Sequence, residues 1–215
     1  MPGTFNGTTL TISATPVDGA LIPDKSATNV AGIAIVGSDM YCVKTTGLKT
    51  TLLKTTDYMA TKATAVKKDL NWFALGLTKI GNYLYMLAED HKGYGGSTTI
   101  VKLDTKGNQL GTYSINEICP KGALGITAAD GTNEKFIIMH YADKSNAGTL
   151  AFSVVDWKAA EAASTFTVTN SGFGYTTRLQ DIYYHTSFGL FILTNNTFST
   201  LQNRILVVDY HLTDD

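Results

Sequence analysis

A motif of about fifty residues, built from several short strand patterns, occurs four times in this chain. Each copy begins with a small residue or an aspartate followed by an aliphatic residue, and a turn then leads into a short apolar core. A variable loop and a further apolar strand that ends in aspartate complete the pattern. A repeat of this size predicts a radial or solenoid array of small sheets. The four apolar cores are 40–43, 84–87, 136–139 and 190–193.

The strands before and after each apolar core give the copies a common outline. The first strands open at Gly32, Gly76, Gly125 and Asp181, and a small residue suits a strand that crowds a central axis. Fourth strands are predicted at 61–66, 110–115 and 164–168. The third strands end at an aspartate, whose carboxylate we expect to accept backbone N–H groups of the following turn. The aspartates expected to do so are Asp104, Asp156 and Asp209, and Asp57 ends the weakest copy of the pattern.

Four strands per copy indicate the blade of a β-propeller, so we expect an all-β, four-bladed propeller of antiparallel sheets. The fourth copy has no fourth strand of its own, because the chain ends six residues after Asp209. The alternating stretch 8–14 belongs to no copy and is predicted to complete the last blade and close the ring. We therefore expect one domain over 1–215, with blades at 29–66, 71–116, 121–169 and 174–213 plus 8–14.

The pattern resembles the β-propeller superfamily over nearly the whole chain, at the level of blade architecture. It carries no Trp-Asp dipeptide at blade ends, no paired-glycine kelch signature and no hemopexin-type Asp-Ala repeat. The resemblance therefore implies a fold and not an activity, because propellers host binding modules, scaffolds and enzymes alike.

Composition narrows the classes of partner. The formal net charge is −1 and the pI is near 6.4, so no basic surface for nucleic acid is expected. No apolar run is long enough to span a bilayer, and the N-terminal residues do not read as a signal peptide. The compartment stays open, although 16% charged residues and abundant Thr, Gly and Asn suit a virion or an extracellular surface.

Several residues are predicted to be structural. Cys42 lies in an apolar strand and Cys119 precedes a proline, so both are expected to be free thiols. Tyr83 and Tyr85 share one side of a strand and are expected in the core or between blades. The run 157–163 favours a single helical turn at most, and Trp157 is placed on the face opposite Trp72.

The candidate site is a polar face. In a propeller, the loops that join the second and third strands emerge beside the junctions between blades. Here these segments combine carboxylates, amides and aromatic rings, which is the chemistry that recognises sugars or peptides. Plain solvent exposure of polar loops explains the same composition. The candidate ligand-binding residues are Trp72, Glu89, Asp90, His91, Tyr94, His140, Asp143, Arg178, Asn195 and Asn196.

Catalysis and metal binding receive less support from the sequence. The acids and histidines of 89–91, 140 and 143 could hold a metal if their loops converge, but no metal-ligand spacing is present. No Gly-x-Ser-x-Gly elbow occurs, and none of the four histidines has an evident Ser or Cys partner. We predict no catalytic residue, no metal and no cofactor.

Two classes of function remain. The first hypothesis is a non-enzymatic recognition or structural-attachment propeller, such as a lectin-like module or a component of a virion or cell surface. Its partner would be a glycan or a protein surface, and assembly of several copies stays open. The alternative is a hydrolase or lyase that acts on glycans through a carboxylate-rich opening.

Overall fold

The computed structural model describes nine ranges of the chain, and their regular structure consists of β-strands. Within them, no helix is long and apolar enough to cross a membrane. The described ranges are 3–5, 10–12, 29–56, 63–90, 97–130, 133–142, 149–169, 177–196 and 204–212.

The strands form four successive antiparallel sheets and one short hairpin. The hairpin pairs β1 (Gly3–Phe5) with β2 (Leu10–Ile12). The first sheet contains β3 (Asn29–Val36), β4 (Asp39–Thr46), β5 (Lys49–Thr55) and β6 (Thr64–Leu70). The second contains β7 (Trp72–Ile80), β8 (Tyr83–Asp90), β9 (Thr98–Leu103) and β10 (Gln109–Ser114). The third contains β11 (Ala123–Asp130), β12 (Lys135–Tyr141), β13 (Thr149–Asp156) and β14 (Ser164–Thr169), and the fourth contains β15 (Thr177–His185), β16 (Gly189–Asn196) and β17 (Arg204–Val208).

The second strand of a sheet is apolar throughout because both of its faces are covered. Leu84 and Met86 of β8 pack towards the first sheet, whereas Tyr85 and Leu87 pack towards the third, and all four are fully buried. A continuous apolar run is what a strand with two buried faces requires. One apolar cluster fills the interface between the first and second sheets, another the interface between the second and third, and another that between the third and fourth.

The innermost strands β3, β7, β11 and β15 lie side by side at the same level. Strands β3, β7 and β11 each carry a glycine where the next innermost strand approaches its Cα closely. A Cβ atom on Gly32 would lie 2.1 Å from the Leu77 nitrogen, so no side chain fits there. The equivalent distances are 3.2 Å from Gly76 to Ile126 Cγ2 and 3.4 Å from Gly125 to the Ile182 nitrogen.

Two threonines, each two positions after one of these glycines, join neighbouring sheets by hydrogen bonds. The Ala128 N–H donates to Thr78 Oγ1 over 3.1 Å, and the Tyr184 N–H donates to Thr127 Oγ1 over 3.1 Å. Gly76 meets Ile126 and Thr78 meets Ala128, so the contacts advance by two residues on both strands, and the same holds from Gly125–Ile182 to Thr127–Tyr184. Strands β7, β11 and β15 are therefore parallel, and the equivalent ends of the second, third and fourth sheets lie on one side of the assembly.

These bonds lead to a test of the interfaces. Thr127→Val keeps the shape of the side chain but leaves the buried Tyr184 N–H without its acceptor, and we expect a loss of about 1–3 kcal/mol in the free energy of unfolding. Urea denaturation measures it. Thr112→Val, on an exposed position of β10, should change stability by less than about 0.5 kcal/mol. Equal effects at both positions would refute the interpretation.

The predicted all-β architecture of four-stranded antiparallel sheets is confirmed for the first three sheets. In the described residues the fourth sheet has three strands, and β2 pairs with β1 and not with β17. The fourth strand of the first sheet, predicted at 61–66, is found at Thr64–Leu70. The run 157–163 forms turns and no helix, because Trp157 is fixed by its N–H bond to the Glu134 carbonyl and by its ring contacts.

The aspartates that end the third strands behave differently from one another. Asp104 caps its turn as predicted, since its Oδ1 accepts the N–H groups of Lys106 and Asn108 at 2.8 Å each. Asp156 lies 4.0 Å from the Lys135 ammonium, and Asp209 lies 3.0 Å from His211 Nε2. Asp57 lies outside the described residues. The predicted role as a turn cap therefore holds for Asp104.

Candidate functional site

The side of the assembly where the first strands begin and the second strands end is called the mouth here. Cα pairing brings Trp72 beside Asp90 and Phe73 beside Glu89 at this end of the second sheet. In the third sheet Ala123 pairs with His140 at the same end. In the fourth sheet Arg178 pairs with Asn195, and Thr177 with Asn196. The parallel innermost strands thus bring these predicted positions to one side.

Trp72 and Asp90 are half-buried at the mouth. The indole of Trp72 packs on the apolar cluster between the first and second sheets, and its Nε1–H donates to Gln109 Oε1 over 3.1 Å. Its carbonyl accepts a hydrogen bond of 2.8 Å from the Thr50 hydroxyl, which fixes the start of β7. These contacts fix the Trp72 ring in place beside the Asp90 carboxylate. This arrangement suits a polar ligand that has an apolar face.

Glu89 and Thr98 are buried behind this surface. They are Cα partners on β8 and β9, and they share the face of Tyr85 and Leu87, which is turned towards the third sheet. The Thr98 Oγ1 atom is fully buried and has no hydrogen-bond partner among the described residues. Glu89 and Asp90 are consecutive in a strand and so point to opposite faces. These two carboxylates therefore cannot flank one scissile bond.

His140 is buried in the same interface and does not line an open surface. Its Nε2 lies 2.9 Å from the Ser153 hydroxyl, which in turn lies 2.8 Å from the Thr165 hydroxyl. Burial lowers the pKa of His140, opposed by its hydrogen bond with the Tyr141 carbonyl, so the neutral imidazole is favoured.

Ser153 is therefore a partner of His140 that was not evident from the sequence. The two residues are thirteen positions apart and meet only because β12 and β13 pair. Ser153 is 1% exposed, so its hydroxyl is closed to a substrate and the pair serves the structure.

The remaining predicted ligand-binding residues are described less fully. His91, Tyr94 and Asp143 lie outside the described residues, and Arg178, Asn195 and Asn196 are described by their strand positions alone. Among the side chains that are described, no group of three or more His, Cys, Asp or Glu is arranged to hold a metal ion. Cys42 and Cys119 are buried free thiols, and burial raises the pKa of Cys119 to about 12.

A second polar cluster, which sequence analysis missed, lies at the opposite end of the second and third sheets. The Lys102 ammonium forms an ion pair with Glu134 and lies 4.4 Å from the ring centroid of Tyr83, 5.4 Å from that of Tyr85 and 5.9 Å from that of Trp157. The Tyr85 hydroxyl also donates to Glu134. The sequence feature that could have indicated this cluster is the pair Tyr83 and Tyr85 on one side of a strand. Tyr85 packs between sheets as predicted, whereas Tyr83 is exposed.

The charged groups of this cluster, Lys102 and Glu134, are paired with each other. Burial, then the hydrogen bond to Glu134, raises the pKa of Tyr85, so the phenol stays protonated. Partial burial of Glu134 favours a higher pKa for its carboxyl group. The hydrogen bonds donated by Lys102 and Tyr85 outweigh this effect and hold the pKa below the ordinary range. A cation already surrounded by rings and a carboxylate leaves no open place for a ligand. This cluster therefore fastens the second sheet to the third.

Comparison with protein-family models and with curated protein sequences finds no match for this chain. Solved structures do match. A glutaminyl cyclase from Myxococcus xanthus has a TM-score of 0.53 and 12% identity, over 86% of this chain and 76% of the cyclase. AztD from Citrobacter koseri has a TM-score of 0.41 and 12% identity, over 85% of this chain and 48% of AztD. BamB from Moraxella catarrhalis has a TM-score of 0.41 and 16% identity, over 81% of this chain and 51% of BamB.

The structural neighbours are β-propeller proteins, and the four-stranded antiparallel sheets of this chain agree with them. The protein is thus similar to the β-propeller class, as the repeated strand pattern predicted. At identities of this size the likeness concerns the fold alone, because propellers carry unrelated activities.

Proposed function

We propose that the four sheets form a four-bladed propeller, with the N-terminal stretch 8–14 as the missing strand of the last blade. Two observations support the proposal. Strand β15 of the fourth sheet lies beside β3 of the first, so the row of innermost strands curves back on itself. The third strands of the other sheets each pair with a fourth, whereas β17 has no such partner in the described residues.

On this scaffold the protein acts as a non-enzymatic recognition module that binds a glycan or a protein surface at the mouth. The observation that carries the proposal is the Trp72–Asp90 pair, an indole held in place beside a carboxylate. The indole supplies a rigid stacking surface and the carboxylate accepts hydrogen bonds from hydroxyl or amide groups. The polar positions Arg178, Asn195 and Asn196 extend the same side of the fold.

A recognition role fits the described residues better than hydrolysis does. Glu89 and Asp90 point to opposite faces of one strand, and the hydroxyl of Ser153 is buried against His140. Neither set offers a substrate the two reacting groups that acid–base or nucleophilic catalysis needs.

A glycan array followed by titration of the selected sugar tests the proposal. Trp72→Ala should weaken binding at least about tenfold, a loss of about 1.4 kcal/mol, because an aromatic anchor at an interface is typically worth that much or more. Tyr83→Ala is the matched control, since it removes an exposed aromatic ring from the opposite end of the same sheet. The control should bind as the parent does.

The other outcomes contradict the proposal in different ways. Equal binding by both variants would reject the mouth and favour an assembly role through another surface. An array without selective binding would reject glycans as the ligand class. Release of cleaved sugar would move the protein to the hydrolases.

A further inference from the structure

The interface between the fourth and first sheets differs from the other three. Ala34 packs towards the second sheet, so its neighbours Ile33 and Ile35 point the opposite way, towards the fourth. Ile182 and Tyr184 pack towards the third sheet, so Asp181 and Tyr183 point towards the first. We call the surface between these two sets the seam.

The seam is incompletely packed. Ile33 is 55% exposed, whereas the residues at the equivalent position of the next three sheets are buried at 2%, 1% and 5% (Leu77, Ile126 and Ile182). On the other side Tyr183 is 60% exposed, although the equivalent Thr78 and Thr127 bind the next sheet. None of the three apolar clusters of described residues spans the seam. Large apolar side chains on both sides nevertheless make it suited to closure.

Asp181 is the residue that separates this interface from its counterparts. It stands where the other sheets have Gly32, Gly76 and Gly125, the positions at which the next innermost strand approaches most closely. A carboxyl group at that position must be accommodated whenever the fourth sheet packs against the first. Its Oδ1 accepts the Ile182 N–H over 2.9 Å.

We propose that the fourth sheet packs on the first across the seam when Asp181 is protonated, and that the seam opens when Asp181 is ionised. The inference rests on the ring proposed above. A neutral carboxyl can lie between Ile33 and Tyr183 at a modest cost, whereas an ionised carboxylate loses its hydration there and is strongly disfavoured.

The environment of Asp181 supports this coupling. Burial raises its pKa to about 7, opposed by the Ile182 N–H, and no charged side chain contributes. The described titratable groups on strand faces turned to the seam are Cys42, Lys44, Lys49, Lys68, Tyr183 and His185. On the side of the third sheet the Asp181 Cα faces Gly125, which carries no charge, since a Cβ atom added to Gly125 would lie 3.5 Å from it. An acid whose folded pKa is raised stabilises the closed form at low pH and loses that contribution as the pH rises towards 7.

Thermal unfolding and hydrogen exchange of β3 between pH 4.5 and pH 8 test the inference. Asp181→Asn keeps the shape without the charge, and Asp181→Gly restores the residue of the other sheets. Both variants should melt at least about 5 °C above the parent at pH 8, and the difference should shrink towards pH 4.5. Corrected for intrinsic rates, the Ile33 and Ile35 amides should exchange more slowly in the variants at pH 8.

Asp104→Asn is the control because Asp104 is an exposed acid at a turn, remote from the seam. It should keep the pH dependence of β3 exchange seen in the parent. A parent whose β3 exchange does not change with pH, or an Asp181→Asn variant that keeps the change, would overturn the inference. N-terminal truncation tests ring closure separately. The pH experiment can therefore reject the role of Asp181 without rejecting the ring.

Discussion

Gly32→Ala is expected to lower the free energy of unfolding by more than about 3 kcal/mol or to prevent folding. The added Cβ would lie 2.1 Å from the Leu77 nitrogen and 2.9 Å from the Leu77 Cα. Both are backbone atoms of the next sheet and cannot rotate away, so the two innermost strands would have to separate. The φ angle of +77° adds about 1–2 kcal/mol for any residue with a side chain. Urea denaturation or, for an unfolded product, far-UV circular dichroism measures the loss.

Gly37→Ala is a matched control in the neighbouring turn. Gly37 also has a positive φ, +61°, but a Cβ there would meet no atom within 4 Å. The control therefore carries the backbone strain without the collision, and we expect a cost of about 1–2 kcal/mol. If both variants lost the same stability, the close approach of the two sheets would not be the reason that position 32 requires glycine.

The repeated apolar cores made the sheets predictable from sequence because burial of both faces leaves a continuous apolar run. Leu84–Leu87 is such a run, and its four residues are divided between two interfaces. Strand ends were less predictable. The fourth strand of the first sheet extends to Leu70, since pairing with β5 decides its bounds and local composition does not. The partner of the stretch 8–14 was not predicted either, since Leu10–Ile12 pairs with Gly3–Phe5 in a local hairpin that lies outside the repeated pattern.

The candidate site was predictable as a side of the fold and not as a set of contacts. Trp72 and Asp90 lie at the mouth because strand order determines which ends meet. The burial of Glu89 and His140 depends on the packing of the second sheet against the third, which no local pattern reveals. The Lys102–Glu134 ion pair joins residues 32 positions apart in different sheets, so sequence spacing gave no sign of it.

Removal of residues 1–15 is expected to lower the melting temperature by more than about 10 °C or to cause aggregation. In the proposed ring this segment covers the outer edge of β17, which is rich in aliphatic residues (Arg204–Val208). An uncovered apolar edge loses its cross-strand pairs and offers backbone groups to other chains. Differential scanning calorimetry and light scattering measure the two effects.

Removal of residues 1–7 separates ring closure from the N-terminal hairpin. This shorter truncation deletes β1, the partner of β2 in the hairpin, but keeps the stretch 8–14. If 8–14 completes the last blade, the shorter truncation should cost only a few degrees, because the blade pairing survives. Equal melting temperatures for the two truncations and the full chain would show that the N-terminal stretch does not close the ring. A collapse caused by the shorter truncation alone would assign the stabilising role to the hairpin, since loss of β1 would then be sufficient to destabilise the fold.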